Sequence, residues 1–185
     1  MARRLLITGT GERVGKTTVG CALGFAMRAR GLSVGVMKPI DAPESPDAQA
    51  LSLAVGSTLP KELICPSRTP ADVDLAQIAA CFHQIAAQSD AVLVEAVATI
   101  DFADLAAMLD LEVLLVVGNR PGCVEAMTHI LHRCDSRRIN LAGCILCDCD
   151  PTPHIETLAT PPSVPYLGRM RHREPLSKAI VEKLL

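Results

Sequence analysis

The stretch that decides the fold reads LLITGTGERVGKTT and covers residues 5–18. It begins with an apolar run typical of a buried parallel strand, passes through a glycine-rich loop and continues with apolar residues at helical spacing. Glycines let the backbone curl so that successive N–H groups face an anion, and the N-terminus of the following helix adds partial positive charge. The stretch therefore predicts a strand, a phosphate-binding loop and a helix, in that order.

The side chains at the end of this loop suit a nucleoside triphosphate. Lys16 offers a mobile positive charge to the β- and γ-phosphates, and Thr17 offers a hydroxyl to Mg²⁺. Five residues separate Gly9 from Gly15, one more than in the common pattern, so the loop is a longer variant. The alternative is a glycine-rich turn that only caps a βα unit. Such a turn does not require the sequence Gly-Lys-Thr-Thr. We expect the nucleotide to contact Gly11, Glu12, Arg13, Val14, Gly15, Lys16, Thr17 and Thr18.

The composition indicates one α/β domain over residues 1–185. Hydrophobic residues make up 49% of the chain, yet it has only 3 Phe, 1 Tyr and no Trp, so the core must consist of aliphatic side chains. Such a core is typical of a parallel sheet covered by helices. The net charge of −2 without a basic face argues against nucleic-acid binding. The sequence pattern indicates neither export nor a membrane span, so we expect a cytoplasmic protein with its eight cysteines reduced.

Apolar runs alternate with helical patterns along the chain. This alternation predicts a doubly wound, mostly parallel sheet flanked by helices. Ligands of such sheets bind beyond the carboxyl ends of the strands, which would gather residues 9–17, Lys38, Glu95 and the segment after Gly118. The expected strands are 4–8, 33–38, 91–95, 112–118, 140–148 and 164–167. The expected core-facing helical residues are Val19, Ala22, Leu23 and Ala26, then Ile78, Cys81, Phe82 and Ile85, then Val124, Met127 and Leu131.

Three side chains outside the loop are candidates for phosphate or metal binding. Lys38 closes the second expected strand, where its ammonium would neutralise a phosphoryl group in transfer. Glu95 ends another strand and is a candidate magnesium ligand. A glutamate that merely ends a strand in solvent would give the same sequence pattern. Asp47 falls in a stretch expected to be a loop, residues 41–47, and is a candidate only.

The order of these motifs resembles the dethiobiotin synthetase family over most of the chain, most specifically in the first forty residues. The longer loop spacing is a feature of that family. Partition ATPases instead carry a lysine near the start of the loop, where this chain has Gly11. The resemblance rests on residues 7–10, 14–17, 35–40, 47–48, 63–66, 92–95, 104–106 and 116–120.

The resemblance implies a homodimeric, ATP- and Mg²⁺-dependent cyclo-ligase. Its small-molecule substrates would be the diamine 7,8-diaminopelargonic acid and CO₂, and a phosphorylated carbamate would close to a ureido ring. By resemblance to the family, Lys16 and Lys38 would bind the phosphates and the carbamate. The magnesium ion would be bound by Thr17, Asp47 and Glu95. Cys147 stands where the family commonly has an asparagine that reads the adenine, so the resemblance implies that Cys147 contacts the nucleotide.

The chain departs from the family pattern after Glu95, where Ala96-Val97-Ala98-Thr99 replaces a glycine-rich turn. Two other readings therefore stay open: an accessory or regulatory nucleotide-binding protein that has lost the substrate pocket, and a related ligase with another substrate. Two clusters lie outside these readings. Cys144, Cys147 and Cys149 invite a metal site but cannot easily converge from one strand. The basic cluster at 169–173 is interpreted as a solvated face, with contact to a nucleotide or an acidic partner as the alternative.

Overall fold

Six parallel strands form one sheet in the computed structural model, which describes residues 3–148, 154–155, 158–161, 164–171, 174 and 176–184. Their order across the sheet is second, third, first, fourth, fifth and sixth, and every pair of neighbours is parallel. The predicted α/β class and doubly wound sheet are confirmed. The strands are β1 (Arg3–Gly9), β2 (Val34–Met37), β3 (Ala91–Glu95), β4 (Glu112–Gly118), β5 (Leu141–Cys147) and β6 (Tyr166–Met170).

Helices cover both faces of the sheet, because strands buried on both sides cannot expose their apolar residues to water. α1, α2 and α7 pack on one face and α4, α5 and α6 on the other. None of the helices in the described ranges is long and apolar enough to cross a membrane. The helices are α1 (Lys16–Arg28), α2 (Pro46–Val55), α3 (Lys61–Ile64), α4 (Leu75–Ala86), α5 (Phe102–Leu109), α6 (Cys123–Ser136) and α7 (Lys178–Leu184), with a short 3-10 helix at Pro70–Asp72.

The strand order places a crevice at the carboxyl end of β1. This strand lies between β3 and β4, so the chain crosses from one side of β1 to the other after β3. Loops that leave the sheet in opposite directions part at such a point, which is where α/β sheets bind ligands. The loop after β1, the turn after β3 and the segment after β4 all open onto this crevice.

Four strands differ from the expected bounds: β1 is one residue longer at each end, β5 is one residue shorter at each end, and β2 and β6 differ as follows. β2 ends at Met37, so Lys38 lies just beyond it. The sixth strand was expected at residues 164–167 but runs over Tyr166–Met170. Pro165 has no N–H to give to a ladder, so it contributes only its carbonyl, which accepts from the Cys144 N–H at 2.9 Å.

Two other expectations about local structure were wrong. On α6, Met127 faces the core as expected, but Val124 is half exposed and Leu131 is only partly buried, and Cys123 and Ile130 face the core instead. Residues 41–47 are not entirely a loop, since Asp47 lies in the first turn of α2. The Ser45 hydroxyl caps this helix and Pro46 occupies its first turn, a helix-start signal that the sequence contains.

Candidate nucleotide and metal site

The backbone of the phosphate loop joins β1 to α1 as the sequence predicts. Gly15 precedes α1 with a φ of 99°, a conformation that side chains rarely tolerate, and no side chain caps the helix. The first-turn N–H groups of α1 are therefore left for an anion. A Cβ at Gly15 would lie 2.6 Å from the Cys147 Sγ beneath it, so glycine is required here by packing as well.

Residues after β4 support the loop from its outer side. The Thr10 hydroxyl accepts a hydrogen bond from the Gly118 N–H at 3.0 Å. The Arg120 guanidinium donates to the carbonyl oxygens of Glu12 and Arg13, at 3.3 and 3.4 Å. Arg13 itself has a φ of 51°, so Arg120 helps to hold a strained segment. Nothing in the sequence pattern indicates this role beyond the position of Arg120 after a strand end.

Lys16 lies at the centre of the site. Its Nζ donates to the Gly11 carbonyl oxygen at 3.1 Å, which folds the side chain over the loop. The residue lines two cavities, one on each side of the loop. The ammonium can therefore contact groups that arrive from both sides.

Three carboxylates surround the Lys38 ammonium, which is almost completely buried. Its Nζ lies 2.7 Å from Asp47 Oδ2, 3.1 Å from Asp41 Oδ2 and 3.2 Å from Glu95 Oε1. Burial opposes the charge, but the hydrogen bond to Asp47 and the charge of Glu95 outweigh it and raise the pKa of Lys38. Asp41 was not a predicted site residue, although its position three residues after Lys38 would have allowed that prediction.

Glu95 and Thr17 form the part of this cluster that faces the loop. The Thr17 hydroxyl donates to Glu95 Oε1 at 3.1 Å, whereas Glu95 Oε2 is buried and has no hydrogen-bond partner among the residues that the structure describes. Burial raises the pKa of Glu95, and the hydrogen bond from Lys38 lowers the pKa of Asp47. A buried carboxylate oxygen without a partner is a natural place for a cation.

A cavity of about 290 Å³ lies between the loop and the carboxylates of Asp47 and Glu95, and we call it the metal cavity. It is lined by residues 13–18 together with Asp47 and Glu95. Within the described ranges no three His, Cys, Asp or Glu side chains are placed to hold a metal ion on their own. Mg²⁺ in nucleotide sites takes only one or two carboxylates and completes its shell with phosphate oxygens and water, so Thr17, Asp47 and Glu95 fit a magnesium ion that arrives with a nucleotide.

A second cavity, of about 280 Å³, opens on the other side of the loop, and we call it the acceptor cavity. The loop contributes Gly11, Glu12 and Lys16, the turn after β3 contributes residues 96–98, and Phe102 and Arg133 close the far side. Ala96, Val97 and Ala98, which stand in place of the family's glycine-rich turn, line this cavity and leave it open.

Cys147 lies beneath the phosphate loop, at the end of β5. Its side chain belongs to the core on the α1 face, whereas Cys144 belongs to the core on the α4 face. The two thiols therefore lie on opposite faces of the sheet, and Cys149 lies outside the described residues. Contact between Cys147 and a nucleobase stays a prediction.

The next residue, Asp148, is engaged by other side chains. It accepts from Asn119 Nδ2 at 2.6 Å and from two guanidinium nitrogens of Arg169 at 2.9 Å. Arg169 of the basic cluster thus pairs within the fold and Arg171 is exposed, while His172 and Arg173 lie outside the described residues.

We expect protons and Mg²⁺ to compete for Glu95. Because burial raises the pKa of this carboxyl, the Mg²⁺ concentration needed for nucleotide binding should rise as the pH falls toward that pKa. Glu95→Gln should raise the requirement at neutral pH and flatten its pH dependence, and Asp47→Asn should add less than its own effect because both serve one ion. Calorimetric titration with ATP at several Mg²⁺ concentrations measures this, and unchanged metal dependence in a variant would remove that residue from the site.

Comparison with known proteins supports the resemblance to the dethiobiotin synthetase family. A family model described as an AAA domain matches residues 3–179. The ATP-dependent dethiobiotin synthetase BioD of Anaeromyxobacter dehalogenans strain 2CP-C is 34% identical, with 95% of this chain and 88% of that protein covered. The corresponding enzyme of Aromatoleum aromaticum is 31% identical, with 92% and 91% covered.

Solved structures agree on the fold. The septum site-determining protein MinD of Pyrococcus horikoshii, complexed with Mg-ADP, superposes with a TM-score of 0.62 at 17% identity over all of this chain and 87% of that one. A putative plasmid partition protein of Borrelia burgdorferi, bound to AMPPNP, gives 0.64 at 12% identity over 98% and 95%. These likenesses concern the fold alone, whereas the sequence relatives define the family: the chain is a P-loop protein that belongs to the dethiobiotin synthetase family.

Proposed function

We propose that this protein is an ATP- and Mg²⁺-dependent ligase of the dethiobiotin synthetase type that carboxylates 7,8-diaminopelargonic acid and closes a ureido ring. The observation that carries the proposal is the position of Lys16 between two cavities. One cavity has the loop N–H groups and carboxylates that a Mg²⁺-bound triphosphate requires. The other has room for an acceptor beside the same ammonium. Phosphoryl transfer requires that the nucleotide and the acceptor lie beside the same positive charge.

The reaction starts with bond formation between an amine nitrogen of the diamine and the carbon of CO₂, with loss of one proton. A carbamate oxygen then attacks the γ-phosphorus of ATP, and the bond to the β-phosphate oxygen breaks to release ADP. The second amine attacks the carbamate carbon, the carbon–oxygen bond to the phosphoryl group breaks and phosphate leaves. This amine, neutral when it attacks, gives up one proton and keeps the other, which yields the cyclic urea.

The chain's own residues position these partners and neutralise charge. N–H groups of the loop and of the first turn of α1 bind phosphate oxygens, and Lys16 stabilises negative charge that develops on the transferred group. Thr17, Asp47 and Glu95 would hold Mg²⁺. The metal, when bound, would screen the phosphates and keep the attacking and leaving oxygens in line.

Lys38 performs a different task from Lys16 in this proposal. Its ammonium sits among Asp41, Asp47 and Glu95, so it keeps the carboxylates from repelling an incoming triphosphate. The Lys38 ammonium lies next to the metal cavity. It would be available to bind the transferred phosphoryl group when Asp47 and Glu95 bind Mg²⁺. Positioning and charge suffice for phosphoryl transfer, since the chemistry requires little covalent participation by the protein.

An accessory or regulatory nucleotide-binding protein is the second candidate. The alanine side chains at 96 and 98 favour it, because a glycine-rich turn would leave more room for a substrate. A related ligase with another amine or carboxylate is the third. The persistence of the acceptor cavity favours either ligase. We further propose a homodimer in the cytoplasm that uses small-molecule substrates.

Phosphate release separates these candidates. With bicarbonate and ATP·Mg²⁺, the ligase should release phosphate at a rate that depends on 7,8-diaminopelargonic acid and should form a cyclic urea detectable by mass spectrometry. An accessory protein should hydrolyse ATP slowly and independently of the diamine. Omission of bicarbonate is the matched control, since it removes the carbon source and leaves the nucleotide site intact. A diamine that fails to stimulate hydrolysis would refute the dethiobiotin synthetase proposal.

A further inference from the structure

Cationic side chains hold three successive carbonyl oxygens of the phosphate loop. Lys16 Nζ donates to the Gly11 carbonyl oxygen at 3.1 Å. The two terminal nitrogens of the Arg120 guanidinium donate to the next two carbonyl oxygens, those of Glu12 and Arg13, at 3.3 and 3.4 Å. In the proposed function Lys16 turns to the phosphates, so Arg120 is the side chain that continues to hold this segment.

The two carbonyls that Arg120 holds fix the direction of two N–H groups. A planar trans peptide group points its carbonyl oxygen and its N–H to opposite sides of the chain, and none of the peptide bonds that the structure describes is cis. The Glu12 carbonyl shares a peptide group with the Arg13 N–H, and the Arg13 carbonyl shares one with the Val14 N–H. Both N–H groups therefore point away from Arg120.

These two N–H groups belong to residues at the nucleotide site. Arg13 and Val14 line the metal cavity, whereas Arg120 lines neither that cavity nor the acceptor cavity. Within the described part of the chain, neither N–H donates to another backbone group. Adjacent N–H donors that lack an internal partner and lie beside a cavity are suited to an anion.

The backbone between these two peptide groups needs a support. Arg13 has a φ of 51°, a left-handed conformation that is unfavourable for a residue with a side chain. Such a residue persists only where its surroundings impose the conformation. The Val14 side chain is buried in the core, but Gly11 and Glu12 are exposed. The guanidinium holds the peptide groups on both sides of Arg13, which is where the support is needed.

The backbone of Arg120 is itself fixed at the end of β4. Its N–H donates to the Gly118 carbonyl oxygen at 2.8 Å, and its carbonyl oxygen accepts from the Cys123 N–H at 3.1 Å, where α6 begins. The preceding residue, Asn119, is buried, and its side-chain amide donates to Asp148 Oδ1 at 2.6 Å. The guanidinium therefore extends from a rigid part of the sheet edge to the loop.

We propose that Arg120 is a positioning residue for the nucleotide: it turns the N–H groups of Arg13 and Val14 toward the phosphates. The inference rests on the proposed function only in taking a nucleotide to bind on this loop. Without the guanidinium, Arg13 can relax from its left-handed conformation, and the two N–H groups then lose their common direction. The planar fork matters as well as the charge, because one ammonium cannot hold two carbonyl oxygens in the same geometry.

The test is calorimetric titration with ADP and with inorganic triphosphate at a fixed, saturating Mg²⁺ concentration. Arg120→Ala should weaken binding of both ligands by about 10-fold or more, the scale of one charge-assisted hydrogen bond, because both occupy the loop through phosphate oxygens. Arg120→Lys should recover only part of this loss. Arg137→Ala is the matched control: it also removes one positive charge, lines neither cavity and should bind both ligands as the wild type does.

Amide-proton NMR separates positioning from a general loss of stability. In the wild-type protein saturated with Mg²⁺ and ADP, the amide protons of Arg13 and Val14 should move downfield as they donate to phosphate oxygens. In saturated Arg120→Ala these two shifts should be lost, whereas the amide proton of Thr17, in the first turn of α1, should keep its shift.

Three results would overturn the role of Arg120. They are equal affinities of Arg120→Ala and Arg137→Ala, retained amide shifts of Arg13 and Val14 in Arg120→Ala, and the absence of these shifts in the saturated wild-type protein, a measurement that needs no variant to fold. Diamine-dependent turnover is measured separately. Its absence alongside the expected binding and shifts would refute the ligase and leave the role of Arg120 standing.

Discussion

Lys16→Ala should weaken ATP·Mg²⁺ binding by about 10- to 100-fold. Charge-assisted hydrogen bonds to phosphate contribute about 1.5–3 kcal/mol each, and Lys16 is the ammonium that folds over the loop, where its Nζ donates to the Gly11 carbonyl oxygen. Calorimetric titration measures the loss directly. Turnover should fall further, because the interaction strengthens as charge develops on the transferred group.

Lys61→Ala is a suitable control for this prediction. Lys61 begins α3, is exposed and lines neither of the two cavities at the loop, so its loss changes the net charge by the same amount without touching the site. We expect wild-type affinity for this variant. Should Lys16→Ala bind ATP·Mg²⁺ as tightly as Lys61→Ala does, the triphosphate cannot lie on the loop as proposed.

Lys38→Ala should destabilise the metal-free protein by about 3–5 kcal/mol, the usual cost of leaving buried charges uncompensated. Three carboxylates contact the Lys38 ammonium, and Glu95 among them is buried. Mg²⁺ should restore part of the lost stability, because it supplies positive charge to Asp47 and Glu95. Chemical denaturation with and without Mg²⁺ gives both values.

The same variant should lower turnover by about 10²-fold, the scale of losing one group that stabilises transition-state charge, and should change ATP affinity much less. Lys38→Arg keeps the charge and is the matched control for stability. Two results would contradict this view of Lys38: a metal-free variant as stable as the wild type, or turnover and ATP affinity that fall in equal proportion.

Much of the site could be predicted from the sequence because its parts are local. Strand, loop and helix follow one another within residues 5–18, so the phosphate loop is encoded by a continuous stretch. The parallel sheet also follows from pattern, since strands buried on both faces appear as uninterrupted apolar runs. Once the sheet is parallel, the carboxyl-end rule brings Lys38 and Glu95 to the loop without further information.

Contacts between distant segments could not be predicted in this way. Arg120 supports the carbonyls of Glu12 and Arg13 across more than a hundred residues, and nothing in its local sequence distinguishes it from a solvated arginine. The β6 shift has a local cause in Pro165, but its size depends on the register with β5. Which residues around Met127 on α6 are buried depends on how that helix meets the sheet.

The sequence by itself determined the phosphate loop, the parallel sheet and the family, since each is written in contiguous residues or in their order along the chain. The tertiary structure alone decided that Asp41 joins Asp47 and Glu95 around Lys38 and that Arg133 reaches the cavity beside Lys16. The first depends on the path of the chain after β2, and the second on the packing of α5 and α6 against the sheet. Such tertiary contacts set distances between side chains that the sequence pattern alone does not record.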